Sequence, residues 1–146
     1  MFRFFLPLIL LVGLVPLFAA CGGDDDDSSS SNPDQVSVTL KDFSLTPDKT
    51  TVPAGDVTFD IKNNGPSQHE FVVFKTDLDA ANLPYDKDKF TVTEDSPGLS
   101  KVDEKEAIDP GKSTTLTATL APGHYVLICN IPTHYGQGMR FNFTVK

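Results

Sequence analysis

Cys129, His134 and Met139 follow one another at intervals of five residues, in the stretch Cys129-Asn-Ile-Pro-Thr-His134-Tyr-Gly-Gln-Gly-Met139. They offer a thiol, an imidazole and a thioether. A thiolate, imidazoles and a weakly held thioether are the donor set of a mononuclear copper site, in which two His and one Cys lie near a plane and Met sits further off. The second imidazole must come from elsewhere in the fold. His69, just after the turn-forming Asn63-Asn64-Gly65-Pro66, is the well-placed candidate.

Each residue alone has a plainer reading. A free Cys is usually a small buried hydrophobe, a lone His a surface or turn residue, and a Met in a Phe-rich strand part of the core. The joint pattern favours a metal, because four of the few Cys, His and Met residues fall where such a site needs them. His124 stands five residues before Cys129 on the same strand, an odd separation that sends it to the other face of the sheet. It is read as a non-ligand. Structural zinc prefers four Cys or His in a closed tetrahedron, for which Met is a poor substitute. An iron-sulfur centre needs more cysteines. Three His in the whole chain argue against an enzyme with several copper centres, and one suitably placed Met argues against an open, Met-rich delivery site.

The elements that must position these donors are strands. Val36, Val38 and Leu40 alternate with polar residues, as do Val57, Phe59 and Ile61. This period of two marks half-buried strands. The segment from His69 to Phe74 is apolar enough to be covered on both faces. Leu116, Ala118 and Leu120 share a side; Tyr125, Leu127 and Cys129 share another; Met139, Phe141, Phe143 and Val145 share a third. Thiol and thioether are thus in phase with core-facing positions. Short strands separated by Pro, Gly and Asn turns, with no amphipathic helical run, predict an all-β fold, an antiparallel β-sandwich of about 110 residues over 36–146. Residues 76–110 are charged and carry only one short strand candidate, 90–93. A structureless loop of that length is uncommon, which predicts a short helix, a strand or a lid over one sheet.

The rest of the chain is accessory. Residues 1–20 read as an export signal: Arg3, an apolar run over 4–18, then Ala19 and Ala20. As a helix that run would span roughly 22 Å, short of the roughly 30 Å hydrocarbon core. Leu17-Phe18-Ala19-Ala20-Cys21 resembles a bacterial lipobox, making Cys21 the lipidation site and leaving Cys129 as the free thiol. Residues 22–35, rich in Asp, Ser and Gly, read as a disordered tether. The net charge of −8 argues against nucleic acid and for a partner with a basic docking patch.

Asn63 to His69 followed by Cys129-Asn-x-Pro-x-His134-x4-Met139 resembles the type 1 (blue) copper proteins of the cupredoxin family, such as plastocyanin, azurin and rusticyanin. The Cys to His interval is nearer the azurin and rusticyanin pattern. The resemblance implies a Greek-key sandwich with one copper ion near one end, cycling between Cu(I) and Cu(II). Cys129 would be the anionic ligand, His69 and His134 would complete the plane, and Met139 would lie on the axis. It implies a monomeric one-electron carrier rather than an enzyme. As a lipoprotein it would be anchored to the cell membrane on the periplasmic or extracellular side, exchanging electrons with a cytochrome or a membrane oxidase complex. The alternative is a copper-delivery protein supplying such an oxidase. Many family members follow the first ligand His with Asn or Ser, which links the two ligand loops. Here Glu70 stands in that place, with Asn64 or Asn130 as candidates for the link.

Overall fold

The computed structural model describes residues 34–146; the export signal, the lipidation site and most of the tether lie outside the described residues. Eleven strands occur among them: β1 (Gln35–Lys41), β2 (Ser44–Pro47), β3 (Thr51–Val52), β4 (Gly55–Asn63), β5 (His69–Lys75), β6 (Tyr85–Asp86), β7 (Thr91–Val92), β8 (Ser100–Ile108), β9 (Ser113–Leu120), β10 (Gly123–Ile128) and β11 (Arg140–Val145). The only helices there are the 3-10 turn Ala80–Asn82 and a four-residue α1 (His134–Gln137).

Two sheets carry the fold, ordered β2-β1-β4-β9 and β3-β11-β10-β5-β8. Alternation dictates their packing. Val36, Val38 and Leu40 of β1, Val57, Phe59 and Ile61 of β4, and Leu116, Ala118 and Leu120 of β9 meet Phe71, Val73, Tyr125, Leu127, Phe143 and Val145 of the second sheet in one buried core. The sandwich is mixed rather than wholly antiparallel: β1 pairs with β4, and β11 with β3, in parallel. Parallel neighbours arise where the connection between them leaves the sheet, as the chain does through β3, a strand of the other sheet, between β1 and β4.

The structure moves one boundary and resolves what residues 76–110 form. The folded part begins before residue 36: Gln35 opens β1, and Asp34 O accepts the Thr58 amide at 2.8 Å, so the last tether positions belong to the sheet. Residues 76–110 hold a nine-residue strand, β8, that alternation could not reveal. β8 is an edge strand paired only to β5, with bulges in its register, and almost all its side chains face solvent. The remainder of that region is the expected lid. Ala80, Leu83, Val92 and Leu99 cover the outer face of the second sheet, packing on Val72, Phe74, Val126, Ile128 and Tyr135 in a second buried cluster. This explains why β5 is apolar on both faces: Phe71 and Val73 face one core, Val72 and Phe74 the other.

Candidate metal centre

The donors sit where strands end and loops begin. His69 is the first residue of β5, Cys129 follows the last residue of β10, and His134 opens α1. Thr133, with φ of 76°, holds the left-handed conformation that β-branched residues rarely adopt. Its amide donates to Phe90 O at 2.8 Å, so the turn that presents His134 is tied to the lid.

Three of the expected donors converge. His69 Nδ1 and His134 Nδ1 are 3.2 Å apart, and Cys129 Sγ lies 3.4 Å from the latter and 3.9 Å from the former. Atoms at such separations can share one ion at about 2.0–2.3 Å. His69 and Cys129 are wholly buried and His134 is 8% exposed. Met139 is also wholly buried and belongs to the same core cluster as Cys129. Its backbone closes the loop: Cys129 N donates to Met139 O at 3.0 Å, and Met139 N to His134 O at 3.1 Å. His124 points elsewhere, as expected, with its ring nitrogens 2.7 Å from Thr76 O and 3.2 Å from Asn142 Oδ1.

The electrostatics suit a metal ligand set. Burial pushes the Cys129 thiol up to about 11, although the amides of Glu70 and Ile131 oppose this by hydrogen bonding to sulfur. The Glu70 amide stands 3.4 Å from that sulfur. Burial first, and then the neighbouring His69, holds His134 below the ordinary histidine range, which keeps a lone pair free for coordination. Cys129 is a free thiol with no carboxylate among its converging partners. One thiol and two imidazoles form the soft-to-borderline set that suits copper.

The loops are locked by residues that the sequence singled out only partly. Asn63 is buried; its amide donates to Ser67 O and Ile108 O, each at 2.8 Å, and its Oδ1 accepts the Gly65 amide at 2.9 Å. Asn130 is held against the lid strand β7, through Val92 N (2.6 Å) and Val92 O (3.0 Å). Glu70 itself links the two ligand loops through its backbone, whose amide donates to Cys129 Sγ at 3.4 Å. Burial, helped by repulsion from Glu94, Glu104 and Glu106, raises the Glu70 carboxyl to about 6. Sequence reading missed Asp42, whose Oδ1 lies 2.9 Å from His69 Nε2. It sits in the turn between β1 and β2, and nothing in its neighbours along the chain marks it.

Residues 9–139 match the family model described as a cupredoxin-like domain, and the chain belongs to that family. Fold and centre together define a blue copper protein with one copper ion, of the electron-transfer class. Among solved structures, the chain is similar to the dithionite-reduced auracyanin of Roseiflexus castenholzii, with 27% identity, a TM-score of 0.58, and coverage of 77% of this chain and 97% of that one. It shares its fold with auracyanin A, a "blue" copper protein of Chloroflexus aurantiacus, at 24% identity and a TM-score of 0.55, covering 77% of this chain and 98% of that one. Among curated proteins it is 31% identical over 100 residues to the iron uptake system component EfeO of Escherichia coli, covering 68% of this chain. The chain spans about a fifth of the length of that relative, 21%.

Proposed function

We propose that this protein is a one-electron carrier whose copper would be held by His69, Cys129, His134 and Met139, and that it works outside the cell membrane, tethered through lipid on Cys21. The observation that carries the reading is the convergence of one thiol and two imidazoles at 3.2–3.9 Å in a buried pocket. Bound copper supplies a Cu(I)/Cu(II) couple. The chain's own contribution is a cage that does not have to rearrange: each donor is fixed by a strand end or a hydrogen-bonded loop. The route in and out runs past His134, beside the exposed Phe43, whose ring meets the imidazole edge-on with centroids 5.1 Å apart. Phe90, half exposed, lies on the same side through its backbone bond to Thr133. A small apolar patch of this kind suits brief redox encounters, and the acidic chain would steer a basic partner such as a cytochrome or a membrane oxidase complex.

Titrating Cu(II) into the metal-free protein should give an intense thiolate-to-copper absorption in the visible range, absent in Cys129→Ser. A colourless product, or an unchanged spectrum in the variant, would refute the centre. A second reading, copper delivery, draws on the similarity to EfeO, which is named as a component of an iron uptake system. Stopped-flow mixing with a reduced cytochrome separates the two: a carrier takes the electron and keeps its copper, whereas a delivery protein gives up the ion to an apo acceptor.

A further inference from the structure

The turn between β1 and β2 touches both imidazoles through two consecutive residues. The Asp42 carboxylate accepts from His69 Nε2 at 2.9 Å, and the Phe43 ring packs against His134. We propose that Asp42 is a positioning residue of the copper centre: it fixes His69 with its proton on Nε2, leaves Nδ1 as the metal-facing lone pair, and shifts the copper couple toward Cu(II). The inference rests on the copper reading given above.

Three observations carry it. Both carboxylate oxygens of Asp42 face donors: Oδ1 stands 2.9 Å from His69 Nε2, and Oδ2 faces the Ser67 hydroxyl. With the Ser67 hydroxyl donating to Oδ2, the carboxylate is held in place as an acceptor on the imidazole side. His69 Nε2 must then donate, and Nδ1 is the atom that faces Cys129 and His134. The contact is also built into the surrounding backbone. A Cβ on Gly65 would fall 2.5 Å from Asp42 Oδ1 and 3.0 Å from His69 Nε2, so only glycine leaves room for the pair. On the other side, a Cβ on Gly138 would come within 3.2 Å of Phe43 O, at a glycine whose φ is 126°. The turn is therefore wedged between the loops that carry His69 and Met139.

An anionic acceptor behind a coordinating imidazole raises the ring's basicity. A more basic imidazole favours the more highly charged metal ion, so the carboxylate strengthens Cu(II) binding more than Cu(I) binding. A neutral acceptor of the same shape would preserve the orientation and lose the bias.

The test compares the wild type with Asp42→Asn and Asp42→Ala in two measurements. In the copper-loaded protein, the ratio of Cu(II) to Cu(I) affinity, read from the reduction potential, should fall about 10–100-fold in Asp42→Asn with the blue colour retained. In the metal-free protein, nitrogen-15 NMR should find the His69 proton on Nε2 in the wild type and Asp42→Asn, and spread over both nitrogens in Asp42→Ala. An unchanged potential in Asp42→Asn, or a His69 proton on Nδ1 in the wild type, overturns the inference. Failure of the wild type to turn blue would instead sink the copper reading, while the NMR measurement still decides the role of Asp42 in the free protein. Asp42→Asn keeps the shape and hydrogen-bonding capacity of the side chain, so a folding defect in Asp42→Ala does not remove the test.

Discussion

Asn130 is bonded to Val92 as one strand residue is to another: its side-chain oxygen accepts the Val92 amide at 2.6 Å and its side-chain nitrogen donates to the Val92 carbonyl at 3.0 Å. The residue beside the thiol thereby fastens the ligand loop to the lid. Asn130→Ala would leave two buried backbone groups unpaired, and each such loss costs about 1–3 kcal/mol. The expected result is a loss of about 2–4 kcal/mol in urea unfolding, with faster amide exchange at Val92. Stability within experimental error of the wild type would show that the lid is not held there.

Tyr135 anchors the same lid from beneath. Its hydroxyl donates to Ala80 O at 2.8 Å and accepts the Leu83 amide at 3.1 Å, both in buried surroundings. Tyr135→Phe keeps the ring and removes both bonds, so a loss of about 1–3 kcal/mol is expected. Limited proteolysis should then cut within residues 76–90 before any other described segment; cleavage at the wild-type rate would contradict this.

Met139 lies in the core beside Cys129, and its thioether is the proposed axial donor. Replacing it with Leu conserves volume and removes the sulfur. The blue colour should persist and the reduction potential should rise. An unchanged potential would argue that the thioether does not reach the metal.

The thiol sets the pH behaviour of the metal-free protein. Burial raises Cys129 from 9.0 to about 11, so the folded state holds a proton that the unfolded chain releases between those values. The resulting stabilisation is present below pH 9 and is lost as the pH rises through about 11. Cys129→Ser should flatten that part of the stability curve. Alkylation of the wild-type thiol at pH 7 should be slow, and copper uptake there should release about one proton per ion, because His134 carries no extra proton to lose while the thiol still holds the proton it must shed to bind as thiolate. Uptake without proton release, measured with a pH indicator dye in weak buffer, would contradict a thiolate ligand.

Much of this molecule follows from local sequence pattern. Alternation in β1, β4, β9 and β11 is a direct consequence of each strand covering a core on one side, and the same period of two along β10 places Cys129 inward and His124 outward without reference to the rest of the chain. The spacing of Cys129, His134 and Met139 is similarly local, since one loop and its flanking residues carry all three. That His69 would join them followed from there being no other well-placed imidazole.

The remaining features needed the folded chain, because each depends on atoms far apart in sequence. β8 carries no alternation to read: apart from Ile108 at its end its side chains are exposed or half-buried, and only its pairing with β5 makes it a strand. The parallel pairings of β1 with β4 and β3 with β11 depend on how the connections leave the sheets. Glu70 departs from the usual family residue, yet its backbone amide reaches the Cys129 sulfur across the gap between the loops. Asp42 is 27 residues from His69, and their 2.9 Å contact exists only because Gly65 leaves room where the two segments cross. Residue types and short spacings determine which groups can bind a metal; which charges stand behind those groups is decided by the packing of strands that the sequence does not make neighbours.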